Sequence, residues 1–203
     1  MMFYEPENGH GLPHDPFKAI VAPRPIGWIS SLGADGALNL APYSFFNALS
    51  SDPHLVWFSS EGRKDSATFA GETGEFVANL VTLDLAEKMN ASAVDAPRGT
   101  SEFGYAGLTA APSRLIAVPR VAEAHAALEC KVTDILEPKG LSGEPAGVHV
   151  VVGEVVGIHI DEAFLTEGLF DVARAKTVSR LGYMDYAAVT ETFAMRRPRW
   201  RQD

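Results

Sequence analysis

Two predicted strands, which are joined by a tight turn over residues 33–36, end in small polar residues. Hydroxyls, amides and prolines at strand ends let a flat ligand lie close to the backbone. Side-chain groups that could bind a planar polar heterocycle are those of Ser30, Ser31, Ser44 and Asn47. Backbone groups at 41–44 could add donors, and the rings of Trp28, Tyr43 and Phe45 could wall the pocket. Taken singly, such residues are more often turn residues or core aromatics.

An octapeptide over residues 59–66 combines hydroxyls, a glycine, two cations and a predicted helix start. These groups suit a phosphate, because a helix N-terminus and a nearby cation both attract an anion. The alternative is a solvated polar loop with an ordinary N-cap, in which Asp65 or Ser66 caps a helix over 64–70.

The elements around these residues are mostly short strands that follow one another without regular helical crossovers. Strands are predicted over 26–32, 37–43, 54–60, 75–81, 126–133 and 147–160, and helices over 64–70 and 83–94. Gly153 and Gly157 predict a bulge or strong coiling in the last strand. Pro42 predicts that pairing stops there and leaves N–H groups free. The order favours a mainly β, antiparallel barrel with peripheral helices over a doubly wound sheet.

Length and charge bound the class of protein. The 203 residues predict a single domain over 1–203, with an N-terminal arm over 1–16 and a basic tail over 196–203. A formal net charge of −9 argues against non-specific nucleic-acid binding. No leader is apparent and no apolar run approaches the ~20 residues of a membrane span, so a cytoplasmic protein without membrane contact is expected. Residues 95–113 predict a long loop, which could be a binding segment or a lid.

Other chemistries find little support in the sequence. The single cysteine, Cys130, excludes an intrachain disulfide and lies in an alternating segment typical of a buried strand. No grouping of His, Cys, Asp and Glu has the spacing of a metal site. Glycine-rich nucleotide motifs are also missing, so any nucleotide must be held by other means.

At the level of whole motifs, the chain resembles the flavin reductase-like family in its flavoredoxin-type branch. The resemblance covers about residues 15 to 198 and is carried by the motifs at 23–31, 39–47, 51–53, 63–66, 74–79, 153–161 and 180–186. It implies a six-stranded antiparallel split β-barrel that binds FMN, commonly as a homodimer. Two departures from the family pattern are Ser66 in place of threonine and Tyr183 in place of a second glycine.

The resemblance also implies roles for the residues at the motif positions. The segments 30–31 and 41–47 would line the isoalloxazine and ribityl chain, and the phosphate would be held by Ser60, Arg63, Lys64, Asp65 and Ser66. Flavin chemistry requires no side-chain acid or base. No catalytic residue is therefore assigned, and Arg180 is a candidate for contacting a nicotinamide-nucleotide phosphate or the flavin edge.

The expected function is an NAD(P)H-dependent flavin reductase that passes electrons through FMN to free flavin or another acceptor. Its partners would be a second copy of the chain and a small flavin or redox partner. One alternative is an FMN-binding electron carrier that never oxidises a nicotinamide. A second alternative is a split barrel without flavin, acting as a ligand-binding or structural dimer.

Overall fold

The computed structural model describes residues 1–97 and 99–200. Its strands are β1 (Arg24–Pro25), β2 (Gly27–Leu32), β3 (Leu38–Tyr43), β4 (Phe46–Ser51), β5 (His54–Glu61), β6 (Glu75–Asn79), β7 (Ala110–Ala111), β8 (Arg120–Val121), β9 (Ala126–Leu136), β10 (Val148–Ile160), β11 (Leu165–Thr166), β12 (Leu169–Phe170), β13 (Val178–Arg180) and β14 (Tyr186–Ala188). The α-helices are α1 (Phe17–Ile20), α2 (Asp65–Thr73), α3 (Ala86–Ala91), α4 (Glu102–Tyr105) and α5 (Val172–Ala175). Short 3-10 helices cover Pro6–Asn8, Leu83–Leu85 and Glu162–Phe164.

Seven strands form one antiparallel sheet in the order β3-β2-β6-β9-β10-β5-β4. The two edge strands, β3 and β4, are consecutive in the chain and are separated only by Ser44 and Phe45. Three peptide units span at most about 11 Å, so the two edges of the sheet must meet at this point. The sheet therefore curls into an open barrel, which confirms the mainly β, antiparallel prediction with seven strands in place of six.

Two glycines allow the longest strand to bend around this barrel. The pairing of β10 with β9 shifts register between Val152 and Gly153 and again between Val155 and Gly157. A Cβ atom on Gly153 would lie 2.5 Å from the ring of Phe76, so a side chain there would collide with the core. The predicted irregularity of this strand is confirmed.

Apolar side chains fill the barrel and a second layer beside it. The barrel interior is centred on Phe58 and Phe76 and is closed at one end by the apolar face of α2. The second cluster contains Trp28 and Met89 and packs α3 and α4 against the sheet. Because α3 belongs to this second layer, the layer positions the segment that follows α3.

Two local predictions were wrong in detail. Lys64, not Asp65 or Ser66, is the N-cap of α2, and its side chain makes no capping hydrogen bond. Strand pairing does not stop at Pro42, since Pro42 pairs with Trp28 and the ladder continues to Tyr43. Because β3 is an edge strand, the missing N–H of Pro42 is tolerated on the side that has no neighbouring strand.

Two longer segments also differ from expectation. The predicted helix over 83–94 is a 3-10 turn followed by the six-residue α3. The predicted loop over 95–113 contains α4 and β7. Among the described helices, none is long and apolar enough to cross a membrane.

Candidate functional site

Two cavities meet along the end of β3, and we call them the lysine cavity and the arginine cavity. The lysine cavity, of about 320 Å³, is lined by the end of β3 (41–43), the start of α2 (64–66), the segment 92–96, Asn39 and Glu102. The arginine cavity, of about 270 Å³, has Arg24, Arg180, Ser44 and two tyrosines among its lining residues. Pro42 and Ala93 line both, so the two cavities are adjacent, and together we call them the trough.

The helix start at one end of the trough is arranged to attract an anion. No side chain caps the nine-residue α2, which leaves N–H groups of its first turn without a side-chain acceptor. Ser66 is buried, and its Oγ accepts a hydrogen bond of 2.7 Å from Asn39 Nδ2. Lys64 Nζ lies 3.9 Å from Asp95 Oδ1, and both side chains are exposed. Such a surface ion pair contributes at most about 1 kcal/mol, so an anion could displace Asp95 easily.

A buried carboxylate limits the positive charge of this cavity. Glu102 is 6% exposed, and its Oε2 accepts the N–H of Leu40 at 3.0 Å. Burial raises the pKa of Glu102, and the nearby Asp65 acts in the same direction, while backbone hydrogen bonds offset part of the effect. An ionised Glu102 would oppose a bound phosphate.

Two arginines dominate the other end of the trough. Arg24 is buried and donates hydrogen bonds to the carbonyl oxygens of Lys18, Val21 and Leu181, while its Nε has no partner among the described residues. Burial lowers the pKa of Arg24, and the charge of Arg180 lowers it further. Among the described residues, no carboxylate lines this cavity.

Arg180 is held over an aromatic ring. Its guanidinium lies 4.4 Å from the centroid of the Tyr186 ring, and its Nη2 donates to the carbonyl oxygen of Tyr183 at 2.5 Å. The turn that carries Tyr183 packs tightly on α1, since a Cβ atom on Gly182 would lie 2.3 Å from that of Ala19. These contacts fix the guanidinium at the mouth of the arginine cavity.

The structure brings together eight of the predicted site residues. Six line the lysine cavity: Ala41, Pro42, Tyr43, Lys64, Asp65 and Ser66. Ser44 and Arg180 line the arginine cavity. The two motifs, about twenty residues apart in the chain, thus face one trough.

Four predicted residues lie in the core, and none of their surface is exposed. They are Trp28, Ser30, Ser31 and Ser60. Trp28 Nε1 donates to Ser92 Oγ at 2.8 Å, and Ser30 Oγ donates to the carbonyl of Pro119 at 2.7 Å. Burial argues against contact between these side chains and a ligand, and their role in binding stays a prediction; Trp28 contacts the trough through Ser92, at the start of the segment 92–96.

Three further predicted residues lie outside both cavities. Asn47 is exposed, and its Oδ1 accepts the N–H of Ala48 at 2.8 Å. Arg63 is exposed beside the lysine cavity, and the Phe45 ring faces the cations of Lys18 and Arg24 at 5.7 and 5.8 Å.

Sequence reasoning missed several residues of the trough, namely Asn39, the segment 92–96, Glu102, Lys18, Arg24 and Tyr186. Arg24 stands inside the Pro-Arg-Pro motif, and Glu102 stands inside the predicted binding loop, so both carried a signal. Among the described residues, no group of three His, Cys, Asp or Glu could hold a metal ion. Cys130 is buried, and burial raises the pKa of its thiol.

Comparison with known proteins gives consistent matches. The family model of the flavin reductase like domain matches residues 21–179. An uncharacterised protein of Halalkalibacterium halodurans is 38% identical over 184 residues, which cover 88% of this chain and 87% of that protein. Nitrilotriacetate monooxygenase component B from Bacillus cereus has a similar structure, with a TM-score of 0.87, 31% identity and coverage of 96% and 98%. For 2-nitrobenzoate 2-nitroreductase of Pseudomonas fluorescens, the TM-score is 0.80 with 30% identity and coverage of 92% and 91%.

Proposed function

Because the chain belongs to the flavin reductase-like family, we propose that it is an FMN-dependent NAD(P)H oxidoreductase. Electrons would pass through bound FMN to free flavin or another acceptor. The observation that carries the proposal is the pair of adjacent cavities, with an uncapped helix start and a lysine in one and two arginines in the other.

The phosphate of FMN fits the lysine cavity. Lys64 can turn from Asp95 to the phosphate, the Ser66 hydroxyl lines the cavity, and the first turn of α2 adds N–H groups. A charge-assisted hydrogen bond contributes about 1.5–3 kcal/mol, which exceeds the value of the exposed pair that it replaces. The residues present therefore fit the cofactor.

The remainder of the flavin would run along Pro42, Tyr43 and Ser44 toward the arginine cavity. When bound, FMN supplies the hydride and electron chemistry. The chain orients it and provides positive charge from Arg24 and Arg180, which favours negative charge at that end of the trough. The side chains of Ile26 and Met89 line the arginine cavity and limit the access of water.

The first test is the colour and reactivity of the purified protein. A flavin absorption spectrum with release of FMN on denaturation supports the proposal, and a colourless protein that binds no FMN refutes it. Anaerobic bleaching by NADH or NADPH then separates a reductase from an electron carrier, which would stay oxidised.

A matched pair of variants tests the phosphate position. Lys64→Met should weaken FMN binding roughly ten- to a hundredfold, since one charge-assisted contact is lost. Lys139→Met removes an exposed lysine far along the chain and should leave the affinity unchanged. Equal FMN affinities for the two variants in a titration of the apoprotein would contradict the assignment.

We also infer that the protein is a homodimer. The neighbouring strands β9 and β10 leave Ile135, Leu136, Ile158 and Ile160 exposed, and such apolar surface is commonly covered by a partner. Light scattering should give twice the mass of one chain, and a monomer at micromolar concentration with flavin bound would contradict the inference.

A further inference from the structure

We propose that the arginine cavity recognises a monocyclic aromatic carboxylate, whose carboxylate lies against Arg180 and whose ring lies among Tyr183, Tyr186 and Met89. The ligand would bind beside the flavin, in the part of the trough that the arginines line. Its position beside a flavin rests on the proposed function, whereas the binding itself does not.

The charge of the cavity selects an anion. Arg24 and Arg180 both line it, and no carboxylate among the described lining residues neutralises them. Lys18 adds a third cation, and its ion pair with Glu61 is long, at 3.8 Å, and exposed. Two neighbouring guanidinium groups without an anion repel each other, and a bound carboxylate would relieve that repulsion.

The orientation of Arg180 selects a carboxylate. Stacking on Tyr186 and the hydrogen bond to the Tyr183 carbonyl hold the plane of its guanidinium in place. Only one of its N–H donors is committed to that bond among the described residues. The others keep the fork geometry that matches a planar carboxylate with two parallel hydrogen bonds.

The rest of the lining selects a flat ring. Tyr183 and Tyr186 both line the cavity, and Met89 and Ile26 give it an apolar wall. Its volume of about 270 Å³ lies just below the range of about 300–1,000 Å³ that is typical of drug-sized ligands. A single aromatic ring with one carboxylate is therefore the ligand class that the cavity favours over a larger polycyclic acid.

The backbone of Tyr183 supports a role in this recognition. Its φ of 57° is left-handed, a conformation that residues other than glycine rarely adopt. The side chain is 53% exposed, and its ring makes an edge contact with His14 at 5.8 Å. Strained positions of this kind cluster at ligand sites, where the side chain is needed at a fixed place.

Calorimetric titration of the FMN-saturated protein with benzoate tests the proposal. Benzamide, which lacks the charge, and cyclohexanecarboxylate, which lacks the aromatic ring, are the matched ligand controls. Benzoate should bind at least tenfold more tightly than benzamide, because only benzoate forms charge-assisted hydrogen bonds with Arg180. It should also bind several-fold more tightly than cyclohexanecarboxylate, because only benzoate can stack on the tyrosines.

Variants locate the binding. Arg180→Met should lower the affinity for benzoate roughly ten- to a hundredfold and leave that for benzamide unchanged. Tyr183→Gly should lower the affinity for benzoate about three- to tenfold while removing backbone strain, so a loss of folding would not explain the result. Arg197→Met, in the exposed C-terminal tail, is the control and should bind benzoate like the parent.

Several outcomes would overturn the proposal. They are equal affinities for benzoate and benzamide, benzoate binding that survives Arg180→Met, or no benzoate binding by a yellow protein. Arg180→Met could instead slow the reduction of the flavin by NADH and leave the affinity for benzoate unchanged. That result would assign the arginines to a nucleotide phosphate. A protein that binds benzoate but no FMN would refute the proposed function and retain the anion site.

Discussion

Replacing Trp28 by phenylalanine tests whether Trp28 is a core residue or a residue that contacts the flavin. Trp28 has no exposed surface, and its indole N–H donates to Ser92 Oγ at 2.8 Å. Ser92 Oγ in turn donates to the carbonyl of Met89 at 2.8 Å, so the serine keeps one of its two hydrogen bonds in the variant. The substitution therefore removes one buried hydrogen bond and part of one ring.

The expected loss of stability follows from these two changes. A buried hydrogen bond contributes about 1 kcal/mol. The void left by the smaller ring, on the order of 40 Å³, costs about 1 kcal/mol at roughly 24 cal/mol per Å³. For a chain of this length, a loss of about 2 kcal/mol lowers the melting temperature by roughly 4–8 °C. Because the segment 92–96 keeps most of its contacts, FMN affinity should fall by less than about fivefold.

Thermal unfolding by circular dichroism and the absorption spectrum of the bound flavin are the two assays. Trp28→Phe should lower the melting temperature and leave the flavin spectrum unchanged. Trp200→Phe is the matched control, since Trp200 is 91% exposed and its replacement should change the unfolding free energy by less than about 0.5 kcal/mol. An unchanged melting temperature together with a shifted flavin spectrum would refute the burial of Trp28 and restore its role as a pocket wall.

Three further substitutions test the electrostatics and the packing of the protein. Burial raises the pKa of Glu102, so its ionisation destabilises the fold as pH rises through that pKa. In urea unfolding, the stability of Glu102→Gln relative to the parent should therefore increase as pH rises from 4.5 to neutrality. The variant should also bind FMN more tightly. Burial acts to raise the pKa of Glu129, but hydrogen bonds from backbone N–H groups and a histidine outweigh it and lower the pKa. Glu129→Gln should therefore destabilise the protein at pH 7, with a urea-midpoint difference that shrinks below about pH 4.5. Gly182→Ala should cost about 1–3 kcal/mol in thermal unfolding, because the new Cβ collides with Ala19, and a parent-like melting temperature would contradict the packing.

The positions of several strands and the placement of Lys64 and Ser66 at a helix start could be predicted from sequence because their signals are local. Alternating apolar residues gave the strand now observed at Ala126–Leu136, and the glycines of β10 gave its irregular register. Lys64 and Ser66 follow a strand end and open a helix, so their proximity is fixed by chain connectivity. Such features need no knowledge of which distant elements come together.

The direction of side chains was harder to predict, because the two faces of one strand contact two different layers. In β2 the side chains of Trp28 and Ser30 point into the cluster beside the barrel, and Ile29 points into the barrel interior. A hydroxyl at a strand end satisfies a distant backbone carbonyl as readily as it binds a ligand, and sequence does not distinguish the two. The small residues that suggested an open ligand surface were therefore buried by a second layer whose position depends on the whole chain.

The arginine cavity shows why long-range geometry decides function in this fold. Arg24 and Arg180 are 156 positions apart in the numbering, and they meet only because β1 pairs with β13 in the register that places them opposite one another. That pairing sets two positive charges side by side without a neutralising carboxylate in the described lining, an arrangement that favours an anionic ligand although Arg24 also donates to three backbone carbonyl oxygens. Loss of the β1–β13 pairing should therefore abolish anion recognition while leaving the lysine cavity, which is built from β3 and α2, able to hold a phosphate.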